Sequence, residues 1–225
     1  SPRHACIYAA LLGLTGLALL ATYSSPRATA LALGGWAIYV GLYSLHFKRH
    51  SIHGVAIGSL SGAAPPMIGY CAVSNQLDGA ALSLGLILCL WQIPHAYAIA
   101  LRRLGDYRAA RLRLLPLVKG VRLTQRHMQR YILAFTCATP LLFVGGHTGP
   151  YYVLVMLVAG GLWAWTARSD AQPHSTPQAL SAWGLQLFAY SIVIIMLFSL
   201  MVAVDYRVSP PLPADPLKKL LLISS

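Results

Sequence analysis

Nine cations lie between residues 102 and 130: Arg102, Arg103, Arg108, Arg111, Arg113, Lys119, Arg122, Arg126 and Arg130. One carboxylate, Asp106, lies among them. Arg and Lys neutralise phosphate oxygens. Mg²⁺ takes one or two carboxylates and completes its shell with substrate phosphate oxygens and water. One chemistry open to this set is therefore the holding of a polyphosphate through a divalent ion, with any apolar part of that substrate lying among helices. A plainer reading fits the same residues: a loop of positive charge anchoring a membrane protein, with Asp106 paired to Arg102 or Arg103. If the segment from Pro94 to Asp106 is one helix, His95, Arg102 and Asp106 share a stripe, because their spacing returns to within ~20° at 3.6 residues per turn. Pro94 and Gly105 weaken that geometry. His95 reads equally as a satisfied interior histidine or as a ligand or base. Gln92 is a polar group in an apolar run, which places it toward a bundle interior.

The elements that must position these residues are membrane helices. The chain is 57% hydrophobic and 10% charged, and it has no glutamate. A soluble domain carries about 25% charged residues. The net charge of +12 raises the question of nucleic acid, but the cations sit between apolar runs, so the partner read from them is the lipid bilayer and not nucleic acid. Seven apolar runs approach the ~20 residues that a crossing helix needs. They are 5–22, 29–47, 54–74, 79–101, 131–146, 151–167 and 179–204. The fold class is all-α, a polytopic transmembrane bundle occupying residues 1–207, followed by a Pro-rich tail at 208–225. Thirteen Lys and Arg residues fall on one side of these crossings and four on the other. The 102–130 loop is therefore expected in the cytoplasm and the C-terminus outside. Cys6, Cys71, Cys89 and Cys137 lie in apolar runs without metal-ligand spacing and read as small core residues. The run at 54–74 holds Pro65 and Pro66, which predict a break in its helix.

Three stretches carry a resemblance: "YSLHFKRHSIHGVAIGSLSGAAPPMIGYCAV", "LWQIPHAYAIALRRLGDYRAA" and "LLPLVKG". They resemble the protohaem IX farnesyltransferase (haem O synthase) branch of the UbiA-type intramembrane prenyltransferases, and the likeness covers nearly the whole chain. It implies nine helices around a central cavity, with two Asp-bearing cytoplasmic motifs holding an allylic diphosphate through Mg²⁺. It also implies farnesyl transfer from farnesyl diphosphate to a vinyl group of haem B, in a bacterial inner membrane, with haem A synthase or a terminal oxidase as protein neighbours. The first Asp motif would lie before Ser1 with two helices, so the seven runs are expected to be seven of nine and the chain inactive by itself. In the second motif, Asp106 would hold Mg²⁺. Arg102, Arg103 and Lys119 would face the diphosphate, and Lys48 and Arg49 the diphosphate or a haem propionate. Tyr43, Tyr97 and Tyr107 would stabilise a cation through their ring faces, or else serve as interfacial belt residues. His95 would orient haem or bind its iron. Arg122, Arg126 and Arg130 share a helical face that would meet lipid headgroups.

Besides the absent first motif, one feature departs from that pattern. The branch reads Gly-Ile-Pro or Asn-Ile-Pro where this chain has Arg111, Leu112 and Arg113, which alters the expected shape of the loop. Other UbiA branches carry two carboxylates four apart in the second motif, whereas here Asp106 is followed by Ala110. A UbiA enzyme acting on an aromatic quinone precursor is the nearest alternative, and the single Asp and "GAAPP" speak against it. A transporter or an oxidase-associated subunit is the alternative outside enzymes. A transporter would show matching interrupted helices in two halves, and no such repeat is visible.

Overall fold

The computed structural model describes residues 1–168 and 176–207. The predicted tail at 208–225 and Asp170 lie outside the described residues. Helices account for the regular structure: α1 Pro2–Tyr23, α2 Pro26–Ala37, a π-helical stretch Ile38–Phe47, α3 Lys48–His50, α4 Gly54–Gly62, α5 Ala64–Ser74, α6 Gly79–Arg102, α7 Leu104–Ala109, α8 Leu115–Val118, α9 Val121–Ala138, α10 Leu141–Val144, α11 Pro150–Ala167 and α12 Pro177–Val204. Five of these stretches are long and apolar enough to cross a membrane: 3–23, 26–50, 79–102, 150–167 and 177–204. The other two apolar runs are interrupted. The 54–74 run breaks at Ala63, so that Pro65 and Pro66 fall in the first turn of α5, where missing amides cost nothing. The fifth run stops at Thr139–Pro140 and restarts as α10. Its helix begins at Val121, ten residues before the apolar run, because the basic segment is amphipathic. Thr124, Met128, Ile132 and Phe135 are buried, while Arg122, Arg126 and Arg130 are exposed.

Local chemistry sets the helix starts. Asp78 caps α6, its Oδ1 accepting from the amides of Ala80 and Ala81 at 3.0 and 3.1 Å. Ser25 caps α2 and Thr176 caps α12, each with Pro at the next position. Such caps contribute about 1 kcal/mol each. The main core lies between α6, α9, α11 and α12, centred on Phe135, Tyr152, Trp163, Leu187 and Ile194. Gly184 of α12 meets α6 so closely that a Cβ there would lie 2.8 Å from the Arg102 amide nitrogen and 3.0 Å from the Ala98 carbonyl oxygen. Backbone approach of this kind is how helices associate where lipid removes the hydrophobic driving force. α1 packs chiefly on α2 and exposes Ile7, Leu11, Leu12 and Leu14, a surface suited to lipid tails.

Of the four cysteines, only Cys71 is buried; Cys89 is partly buried, and Cys6 and Cys137 are exposed. The core placement expected for all four is therefore corrected for Cys6 and Cys137, whose helical faces point outward. The two ends of the bundle differ in charge. One gathers Asp78, Asp205, Arg27 and Arg207, tied by bonds such as Arg27 to the Asn75 side chain and Tyr70 to Asp78. The other carries thirteen cations and, among the described residues, only Asp106 as carboxylate.

Candidate functional site

The cationic end is built on the exits of the π-helical stretch and of α6. In the π-helical stretch the backbone bonds span five residues, as from the Lys48 amide to the Tyr43 carbonyl. That wider turn places the Tyr39 and Tyr43 rings 5.6 Å apart and leaves Lys48 Nζ 6.0 Å from the centre of the Tyr43 ring. Tyr43 is seated on Gly58, where an added Cβ would lie 3.1 Å from the ring. Tyr107 lies within electrostatic range of the Tyr43 phenol. The structure thus brings Tyr43 and Lys48 together, with Tyr107 in electrostatic range of Tyr43. Arg49 is exposed immediately beyond Lys48.

α6 does not run through to Asp106. It ends at Arg102, and Arg103 adopts a non-helical φ of −112° and ψ of 34° before α7 starts. The stripe joining His95, Arg102 and Asp106 is therefore broken at its last member, because the chain turns at Arg103. Asp106 sits in the first turn of α7, which suits a negative charge. It is exposed, and among the described residues it makes no ion pair with Arg102 or Arg103. α7 then closes in a Schellman turn: the Leu112 amide donates to the Tyr107 carbonyl at 3.1 Å and the Arg111 amide to the Arg108 carbonyl at 3.0 Å. That turn requires a left-handed residue, and Arg111 supplies it with φ +52°. Glycine or asparagine adopts this conformation at little cost. Lys119 is exposed at the end of α8.

His95 and Arg102 both face α12. His95 is stacked on Trp91 at 4.6 Å and tilted against Phe188 at 5.1 Å. Ser191 Oγ donates to the Phe188 carbonyl at 2.6 Å, so its bond with His95 Nδ1 at 2.7 Å is one that it accepts. That assignment puts the imidazole proton on Nδ1 and leaves Nε2 with its lone pair. The ring is thereby anchored within the bundle. Arg102 lines a cavity against the start of α12, and its carbonyl accepts from Ser181 Oγ at 3.1 Å. Tyr97 is buried in the main core, 5% exposed, so its ring face is taken up by packing.

Gln92 faces the other way, toward α4. Its amide lies over Gly62, where a Cβ would come 1.9 Å from Gln92 Oε1, and its Nε2 donates to the Leu88 carbonyl at 3.1 Å. It borders a cavity of about 420 Å³ walled mainly by Trp36, Tyr39, Ser61 and Pro65. Periodicity along one helix carries no sign that Trp36 and Ser61 belong to this cavity; only the crossing of α2, α4 and α6 puts them there. Among the described residues no three His, Cys, Asp or Glu side chains cluster as a ready-made metal site. At the cationic end Asp106 is the one carboxylate among the described residues, and a single carboxylate fits an ion such as Mg²⁺ that takes its further oxygens from substrate and water.

Comparison with known proteins follows the same lines. A protein named protoheme IX farnesyltransferase from Pseudomonas syringae pv. syringae is 47% identical over 212 residues, which are 94% of this chain and 70% of that protein. Its counterpart of the same name from Pectobacterium atrosepticum is 48% identical over 199 residues, 88% of this chain and 66% of that protein. A solved structure from a study of digeranylgeranylglyceryl phosphate synthase in membranes superposes with a TM-score of 0.71 at 15% identity, covering 90% of this chain and 70% of that one. The latter likeness bears on the fold alone: a multi-pass helical membrane bundle. The sequence model of the UbiA prenyltransferases matches residues 1–193, and the chain belongs to the UbiA prenyltransferase family.

Proposed function

We propose that this protein transfers the farnesyl group of farnesyl diphosphate to a vinyl group of haem B, giving haem O. The observation that carries this reading is the 47% identity, over 94% of the chain, to proteins named protoheme IX farnesyltransferase. The cationic end of the bundle suits it: a carboxylate with no ion pair among the described residues stands among exposed cations, near Tyr43 and Lys48. In this reading Asp106 holds Mg²⁺, and Arg103, Lys119, Lys48 and Arg49 bind the diphosphate or a haem propionate. Mg²⁺ would supply charge neutralisation to the departing diphosphate. The C–O bond of the allylic ester breaks with its electron pair leaving on the diphosphate. The π electrons of the vinyl group form the new C–C bond and leave the positive charge on the carbon next to the macrocycle; water adds there and gives up one proton to solvent, leaving the hydroxyl-bearing side chain. Tyr43 and Tyr107 present ring faces to the positive charge that develops on the farnesyl carbon. The cavity at Gln92, apolar on most of its walls, gives the farnesyl chain a dry location, which protects the developing cation from early attack by water.

This reading places the cationic end in the cytoplasm of a bacterial inner membrane, where its soluble diphosphate substrate is made, and the C-terminus outside. It leaves haem A synthase or a terminal oxidase as the natural receiver of the product. The test is Asp106→Asn in the enzyme assayed in membranes with farnesyl diphosphate and haem B. Haem O formation should fall by at least a hundredfold, the scale on which one electrostatic group of a transition state acts, with protein levels unchanged. Near-normal turnover at limiting Mg²⁺ would remove Asp106 from the metal site. Arg126→Gln, on the outer face of α9, should leave turnover within about twofold.

A further inference from the structure

A second concavity opens at the cationic end, away from Tyr43 and Lys48. It measures about 400 Å³ and lies between the end of α6, the short α7 and the first turns of α12. Leu101, Leu104 and Leu180 give it an apolar floor, while Arg102 and Arg108 stand at its rim. Leu101 and Leu180 are buried, whereas both arginines are exposed. Among the described residues neither guanidinium has an ion-pair or hydrogen-bond partner. Of the hydroxyls nearby, Ser181 Oγ donates to the Arg102 carbonyl at 3.1 Å, while Thr176 Oγ1 accepts from the Ala179 amide at 3.2 Å and keeps its own proton to donate. The side-chain donors that line this concavity are the two arginine forks, which carry its charge, and the Thr176 hydroxyl. Two like charges on one rim repel, and a bound anion converts that repulsion into charge-assisted hydrogen bonds.

We propose that this concavity is a binding site for a phosphate group, either the headgroup of an anionic phospholipid or free inorganic phosphate. Guanidinium presents paired N–H donors that match phosphate oxygens. The apolar floor offers a place for the carbon body of an ester, and the rim keeps the phosphate at the level of the helix ends. The site shares Arg102 with the residues that the family resemblance sets toward the diphosphate, and adds Arg108, which has no part in the prenyl-transfer reading. It uses the start of α12 and not the π-helical stretch with Tyr43 and Lys48. It therefore goes beyond that reading and depends on neither farnesyl diphosphate nor haem.

The experiment uses the full chain in nanodiscs of phosphatidylcholine, with or without phosphatidylglycerol. Native mass spectrometry counts retained lipid, and calorimetry follows inorganic phosphate. Neither measurement contains farnesyl diphosphate or haem, so the outcome is separate from that of the activity test. Arg108→Gln should weaken retention or binding about tenfold, the loss of one charge-assisted contact. Ser181→Leu, which fills the concavity while keeping both arginines, should weaken it similarly. Arg108→Lys keeps the charge and should retain part of the binding, which guards against a variant that merely fails to fold. Retained phosphatidylglycerol that inorganic phosphate does not displace identifies the lipid as the source. Calorimetric binding of inorganic phosphate, with displacement of lipid, identifies the free ion. Either result supports the site. An equal loss in Arg126→Gln would show diffuse attraction to the whole basic face and overturn the proposal. So would unchanged binding in both Arg108→Gln and Ser181→Leu, or absence of phosphate and phosphatidylglycerol binding in the unmodified protein.

Discussion

Arg111 offers a direct test of how the basic corner is held. It is the left-handed residue of the turn that closes α7, at φ +52°, with the Leu112 and Arg111 amides bonded back into the helix. A residue with a Cβ loses about 1–2 kcal/mol in this conformation. Glycine does not, but glycine gives the unfolded chain more freedom, which takes back about 0.5–1 kcal/mol. Arg111→Gly should therefore stabilise the protein by about 0.5–1 kcal/mol. For a chain of this length that corresponds to a rise of about 1–4 °C in Tm. Removing one cation from a crowded basic end would add slightly to the gain, so a control is needed. Arg111→Ala removes the same charge but keeps the Cβ and the strain, and should give little or no rise. Arg111→Asn should fall between the two, since asparagine tolerates the left-handed region. The assay is thermal unfolding of the detergent-solubilised protein at one fixed scan rate, because membrane proteins seldom unfold reversibly. If Arg111→Ala raised Tm as much as Arg111→Gly, the benefit would come from charge and the strain argument would be refuted.

Gly184→Ala should destabilise the protein by about 1–3 kcal/mol, since the new methyl meets the backbone of Arg102 and Ala98, and neither can move aside as a side chain can. Thermal unfolding would show it as a lowered Tm, whereas Gly161→Ala, with open space at the added methyl, should be nearly silent. Asp78 gives a pH signature. Burial alone would raise its pKa, but hydrogen bonds from Tyr70 and from the amides of Ala81 and Ala80 outweigh that and hold it below the ordinary carboxylate value. A carboxylate with a lowered folded pKa contributes stability that is complete above its unfolded value, about 4, and is lost as pH falls through the folded value. Unfolding measured from pH 7 downward should therefore show Asp78→Asn less stable than the unmodified chain at pH 7, with the difference shrinking in acid; a difference constant across that range would contradict the assignment.

Composition alone determined that this is a membrane bundle, because so few charges cannot cover a soluble surface. Run lengths located five uninterrupted crossings but not the breaks at Ala63 and Thr139, and the imbalance of cations marked one end. The stretches around "GSLSGAAPP" and "WQIPHAYAIA" carried the family, because such strings record a shared ancestry that survives in order and spacing. Tertiary structure alone decided how the polar residues are distributed. Gln92 and His95 are three residues apart, yet one lies over Gly62 of α4 and the other against Ser191 of α12. Which neighbour each meets depends on how three helices cross, and periodicity along one helix does not encode that. The turn at Arg103 separates Asp106 from the α6 stripe, and an arginine at a left-handed position conceals the helix end that a glycine would have announced. The cavity at Arg102 and Arg108 needs the end of α6 and the start of α12, which are remote in sequence. They meet because Gly184 lets the two backbones touch, a contact whose cause is the absence of a side chain.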